Sequence, residues 1–146
     1  MDTTSVLLLD DDHAFANLFK EHLTDHAKDH SNIELTHVDS LKAIELEQPF
    51  DIYFIDHRLY GRPASIEIVE RLKNAGFGGK IFVVSKYGDF DLLKELMKLG
   101  IDGFIDKDEI NYEELVRFID SLNATKSLLR NLNNKFEELK KKPTDR

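Results

Sequence analysis

Apolar residues in this chain come in short continuous runs, and between the runs they recur at helical spacing, from near the first residue almost to the last. Val6 to Leu9 is apolar and ends on Asp10, Asp11 and Asp12, which predicts a buried strand delivering carboxylates at its C-terminal end. Asp12 stands where a helix cap belongs, and Phe15, Leu18, Phe19 and Leu23 predict a helix over 13–26. Ile33, Leu35, His37 and Val38 predict a short second strand, and Ser40 to Gln48 a short helix stopped by Pro49. Asp51 to Ile55 reads as a third strand ending at Asp56. Gly61 and Pro63 punctuate the next loop, and Pro63 is expected in the first turn of a helix buried through Ile66, Val69 and Leu72. Gly76, Gly78 and Gly79 end that helix, and Lys80 to Ser85 is a fourth strand whose last residue is a hydroxyl. Asp89 to Leu99 predicts another helix with Gly100 as its C-cap, Ile101 to Ile105 a fifth strand, and Asn111 onward a long final helix.

Five alternations of strand and helix predict an α/β fold: a doubly wound, five-stranded parallel sheet with helices on both faces and right-handed crossovers. Ligands in such sheets sit beyond the carboxyl ends of the strands. Asp10, Asp11, Asp56, Ser85 and Lys107 all fall at that edge. Three carboxylates brought within a few Å repel one another unless a cation is shared, and an all-oxygen donor set with room for water suits Mg2+. With the pocket neutralised, one carboxylate can attack a phosphoryl donor in line, while Lys107 and the Ser85 hydroxyl stabilise charge on the phosphoryl oxygens. The product of that chemistry is an aspartyl phosphate.

Charge and composition narrow the class. The 146 residues fit one domain, and the absence of cysteine removes disulfides, thiolate metal sites and a cysteine nucleophile, in keeping with a cytoplasmic protein. There is no basic stretch leading into an apolar run at the start, and no segment approaches the ~20 apolar residues of a membrane span, so neither export nor a membrane is expected. A net charge of −8 makes nucleic acid an unlikely partner. The charge is uneven: residues 126–146 hold seven Lys or Arg against three acids, giving +4 there and −12 before it.

The blocks LLLDDD, DIYFIDHRL, IFVVSK and GIDGFIDKD, in that order between Val6 and about Leu122, resemble the signature blocks of the CheY-like receiver domain of two-component response regulators, a phosphorelay family whose flavodoxin-like sheet has the order 2-1-3-4-5. The resemblance implies a phosphorylation-controlled switch rather than a turnover enzyme, with Asp56 as phosphoacceptor. It implies Asp11 as a direct Mg2+ ligand, Asp10 as a ligand through water, and the backbone carbonyl of Arg58 as a further donor. Ser85 becomes the switch hydroxyl and Phe104 the aromatic rotamer switch. Phosphorylation would then reset the face made by the fourth helix, fifth strand and fifth helix. The implied phosphoryl donor is a histidine kinase or phosphotransfer protein, and the output partner is an unknown protein. Leu59 and Tyr60 replace the family's frequent Met-Pro, and Lys86 its usual small residue. Arg58 and Tyr87, bulky at positions that admit or block water, imply slow dephosphorylation. Asp108 after Lys107 replaces a frequent proline, so no cis-proline is expected there.

Two other readings fit parts of the same pattern. A haloacid-dehalogenase-type phosphohydrolase would use Asp10 as nucleophile and Asp12 as acid/base, although Ala14 stands where that motif has Thr or Val. A pseudo-receiver would take no phosphate and serve as a dimerising scaffold. His22, His26 and His30, four apart, read as a solvated helix face rather than a metal site, and His57 is expected to point away from the pocket.

Leu115, Phe118, Leu122, Thr125, Leu129, Leu132, Phe136 and Leu139 alternate spacings of three and four. A receiver ends near residue 123, so nothing in the domain remains to cover the last four. The expected organisation is a receiver over 1–124, a helical extension over 125–142 forming a two-chain coiled coil and hence a homodimer, and a disordered tail over 143–146; a tail folded back on its own domain and a linker to an output domain are the alternatives for the extension.

Overall fold

In the computed structural model, which describes residues 3–27, 32–40, 48–86 and 90–141, the apolar runs lie side by side as one parallel sheet. Its strands are β1 (Thr3–Leu9), β2 (Asn32–Val38), β3 (Ile52–Asp56), β6 (Lys80–Ser85) and β7 (Gly103–Asp106), in the order β2-β1-β3-β6-β7. Counted along the sheet alone, this is the expected 2-1-3-4-5. A two-stranded hairpin, β4 (Arg58–Leu59) and β5 (Arg62–Pro63), stands apart from it. The helices are α1 (His13–Ala27), α2 (Ser65–Asn74), α3 (Phe90–Lys98) and α4 (Tyr112–Lys141). Of the helix expected over 40–48, residues 41–47 fall outside those described, as does His30.

The alternation along each strand divides the core in two. Val6 and Leu8 of β1, with Ile52, Phe54 and Val84, pack beneath Phe19 and Leu23 of α1 and Leu115, Val116 and Ile119 of α4. Leu7, Leu9, Tyr53, Ile55 and Val83 face the other way, under Ile68, Val69 and Leu72 of α2 and Leu92 and Leu96 of α3. All five residues of β3 are buried, as a central strand covered on both faces must be.

The caps expected at Asp12 and Gly100 form, and Asn111 supplies another. Asp12 Oδ1 accepts the Phe15 amide at 3.0 Å and Asn111 Oδ1 the Glu114 amide at 3.1 Å. Gly100 has φ 86°; its amide donates to the Met97 carbonyl at 3.0 Å and the Ile101 amide to Leu96 at 3.4 Å, a Schellman closure of α3. That closure takes Ile101 out of the fifth strand, which begins at Gly103 instead.

The placement of Pro63 is corrected. It lies in β5, opposite Arg58, and α2 begins two residues later at Ser65. The chain reverses at Tyr60 and Gly61, both with positive φ (52° and 75°), and the amides of Ala64 and Ser65 both donate to the His57 carbonyl, at 2.8 and 3.3 Å. The helix therefore starts only after this second reversal is closed.

Gly79 enters β6 with no room for a side chain. A Cβ there would collide with the Phe50 carbonyl and lie 2.8 Å from Tyr53 Cε2, whereas Gly78 has nothing within 4 Å. Gly79→Ala is expected to lose roughly 2–3 kcal/mol in urea denaturation, as overpacking against backbone does, and Gly78→Ala to stay close to wild type.

The long helix α4 is fastened to the bottom of the sheet at Lys126. Its Nζ lies 2.9 Å from Asp51 Oδ2 and 3.0 Å from the Thr3 carbonyl, and the same Asp51 oxygen accepts the Ser5 amide at 2.9 Å. Burial pushes the Asp51 carboxyl up, but the Lys126 and Ser5 hydrogen bonds outweigh it and leave its pKa lowered. A depressed carboxyl stabilises the fold above its unfolded pKa and loses that contribution as the pH falls through the folded one. Lys126→Ala is accordingly expected to cost about 1 kcal/mol at pH 7 and much less at pH 3. Beyond Lys126 the helix leaves the domain, and Leu128, Leu129, Leu132, Phe136 and Leu139 are each more than half exposed.

Candidate functional site

Three strand ends and one loop converge at the carboxyl edge of the sheet. Asp10 follows β1, Asp56 ends β3, Ser85 ends β6 and Lys107 follows β7. Register holds them together: Asp56 pairs with Val84 and Ser85 with Asp106 across neighbouring strands, and the Lys107 amide donates to the Ser85 carbonyl at 2.9 Å. Asp10, Asp11 and Asp56 each place a carboxylate oxygen within 4.8 Å of the others. Lys107 Nζ lies 2.8 Å from Asp10 Oδ2 and 3.6 Å from Asp56 Oδ2.

The pocket above them encloses about 460 Å³ and is bounded by Asp11, Asp56, Arg58, Ser85, Lys86 and Lys107, among others. Asp10 is not in its wall. It lies beneath, fully buried, with Oδ1 accepting the Asp12 amide at 2.8 Å. Asp11, in the wall, accepts the Tyr60 amide on Oδ2 at 2.8 Å. Arg58 donates weakly from its amide to Asp56 Oδ1 at 3.5 Å, and its guanidinium reaches back to the Gly61 carbonyl at 3.4 Å.

Crowding sets the protonation. Burial first, and then the charge of Asp10, push the Asp56 carboxyl up to about 7, against the opposing pull of Lys107. Burial would lower the Lys107 ammonium, but hydrogen bonding to Asp10 and the charges of Asp10 and Asp56 leave it raised and firmly cationic. The pocket thus holds more negative charge than one lysine balances. Clustered carboxylate oxygens starved of positive charge fit a hard divalent cation such as Mg2+.

Asp10, Asp11, Asp56, Ser85 and Lys107 are brought together as their positions in the sequence suggested. Phe104 is half-buried on β7, one strand-residue pair from the pocket, and packs among the core residues beneath α2 and α3. His57, expected to point away, is buried with Nδ1 2.8 Å from Ser65 Oγ and still contributes to the pocket wall. His22 stacks on Tyr112 at 4.7 Å between ring centroids, and no histidine enters a potential metal cluster among the described residues. Tyr87 lies outside the described residues.

Several supporting contacts had no sequence signal. His37 Nε2 lies 2.7 Å from the Asp10 carbonyl, which fixes the end of β1, and the Phe15 ring lies 4.3 Å from Lys107 Nζ. The Tyr60 amide that holds Asp11 depends on a positive φ at a non-glycine residue. Gly61 hinted at a turn; nothing marked Tyr60 as part of it.

A five-stranded parallel sheet with this order, carrying an acidic cluster, a hydroxyl and a lysine at its carboxyl edge, has the architecture of a receiver domain. The response regulator receiver domain family matches residues 6–120, and the chain belongs to that family. The signal receiver domain of a putative Luxo repressor protein from Vibrio parahaemolyticus is similar to it, with a TM-score of 0.71 and 20% identity over 90% of this chain and 97% of that one. A CheY-like receiver domain protein from Methanospirillum hungatei JF-1 has a TM-score of 0.66 and 20% identity over 86% of this chain and 98% of its own. In sequence, the chain is 35% identical over 74 residues to a cyclic di-GMP phosphodiesterase of Thermotoga maritima; the match takes in 51% of this chain but spans only a fifth of that protein. No helix among the described residues is long and apolar enough to cross a membrane.

Proposed function

We propose that this receiver accepts a phosphoryl group on Asp56 from a phosphohistidine donor, a histidine kinase or phosphotransfer protein, and uses it as a conformational switch. The observation that carries the reading is the position of Asp56: its carboxylate lines the open pocket between Lys107 and Ser85, whereas Asp10 is sealed beneath. A carboxylate oxygen of Asp56 forms the new P–O bond as the P–N bond of the donor breaks, and the departing imidazole nitrogen keeps the electron pair and takes a proton. Lys107 balances charge on the phosphoryl oxygens, and the Ser85 hydroxyl moves toward one of them. Asp10, Asp11, Asp56 and the Arg58 carbonyl would hold Mg2+, which supplies charge neutralisation for the incoming phosphoryl group. Phe104, one strand over, follows the Ser85 hydroxyl and carries the change to the face of β7, α3 and α4. The exposed half of α4 receives a second copy of the chain.

This reading is tested by incubating the protein with Mg2+ and acetyl phosphate and following intact mass. A single phosphoryl adduct labile at high pH is expected, and no adduct with or without Mg2+ would overturn the assignment. The hydrolase alternative requires Asp10 to reach a substrate, and its complete burial works against that.

A further inference from the structure

Among the described residues, two surfaces lack a cover, and they are complementary. The first is the tail of α4, where Leu128, Leu129, Leu132, Phe136 and Leu139 form one apolar stripe, each 54–62% exposed. Lys135 borders the stripe on one side and Lys140 on the other, the latter 5.1 Å from the Phe136 ring centroid. The second is a groove of about 390 Å³ between β7 and the first turns of α4. Half-buried Ile105, Ile110 and Phe118 form its apolar part, and exposed Asp106, Glu109 and Glu114 give it an acidic rim.

Self-pairing of the stripe as a parallel coiled coil is poorly served by charge. Leu129 and Phe136 take the a positions and Leu132 and Leu139 the d positions, so Lys135 of one helix meets Lys140 of the other on both sides of the seam. Against the groove the same lysines meet carboxylates. Glu114 stands in the first turn of α4 and Glu109 in the turn just before it, so a reversed helix brings Lys135 toward the first and Lys140 toward the second. A two-fold arrangement of that kind lets each tail occupy the other copy's groove and leaves no stripe uncovered.

We propose that two copies of this chain associate with their α4 helices antiparallel, the lysine-bordered tail of each seated in the acid-rimmed β7–α4 groove of the other. This deepens the second-copy assignment above and does not depend on phosphorylation. The dimer is therefore electrostatic at its rim and weakens as salt rises.

Sedimentation velocity at micromolar concentration tests it with surface variants whose helicity and Tm are checked in parallel. Wild type is expected to be a dimer. Lys135→Glu and the double variant Glu109→Lys with Glu114→Lys should each weaken association by at least about tenfold, since each sets like charge against like. Mixing the Glu109→Lys, Glu114→Lys chain with a Lys135→Glu, Lys140→Glu chain should restore a heterodimer, because both tail–groove pairs are then opposite in sign. In a parallel coiled coil Lys135→Glu would instead face Lys140 and tighten the dimer, and the groove variants would change nothing; either result overturns the groove while keeping a second copy. A wild-type monomer would overturn both.

Discussion

Asp56→Asn is expected to abolish covalent phosphoryl uptake from acetyl phosphate, lowering the labelled fraction by at least about 100-fold, because an amide oxygen is a far weaker nucleophile than a carboxylate. The fold should survive, since Asn keeps the volume and its amide can donate to Asp10 across the contact that the Asp56 carboxyl now makes. Lys107→Ala should behave differently. It leaves the nucleophile but removes the buried cation 2.8 Å from Asp10 and 3.6 Å from Asp56, so the rate of uptake should fall by roughly 100-fold without the adduct being lost altogether. Mass spectrometry over a time course separates the two variants. An Asp56→Asn protein that still acquires a phosphoryl group, or still releases phosphate steadily, would move the chemistry to another carboxylate.

The same substitution should stabilise the metal-free protein. The folded Asp56 carboxyl titrates at about 7 against 3.8 for a free one, so between those values the folded state holds a proton that the unfolded chain has released. Stability from this group is greatest at low pH, declines as the pH rises from about 4 to 7, and is fully lost above that. At pH 8 the penalty is on the order of 2–4 kcal/mol, and Asp56→Asn removes it, which for a chain of this size raises Tm by roughly 5–10 °C. At pH 4 wild type and variant should melt together. Millimolar Mg2+ should raise the wild-type Tm at pH 8 and act far less on Asp56→Asn, because a cation that binds only the folded acidic pocket adds to stability. Equal Tm differences at pH 4 and pH 8 would show that Asp56 is not the strained group.

Most of the sheet was readable because parallel strands buried on both faces leave nearly unbroken apolar runs, as in Val6 to Leu9 and Lys80 to Ser85. The strand ends then located Asp10, Asp11, Asp56, Ser85 and Lys107 without any need for long-range information. What stayed hidden depends on contacts between distant residues. The β4–β5 hairpin rests on a left-handed Tyr60, which no propensity favours, and so Pro63 was assigned to a helix it only precedes. His37 is an ordinary strand residue in sequence and a brace for the Asp10 carbonyl in space. Lys126 and Asp51, 75 residues apart, gave no hint of their pairing, although the change in charge near residue 125 marked the point where the helix departs from the domain.

That departure gives the molecule a mechanical character. α4 is one unbroken rod of 30 residues, about 45 Å long, held at its first half by the core and pinned at Lys126, with some 22 Å projecting beyond the pin. A tilt of about 10° at the pin sweeps Leu139 through roughly 3 Å. Leu115 and Ile119 lie about 16 and 10 Å on the near side of the pin and Leu139 about 20 Å on the far side, so a packing shift beneath them reaches the tip reversed in direction and about one to two times its size, carried by the stiffness of the rod.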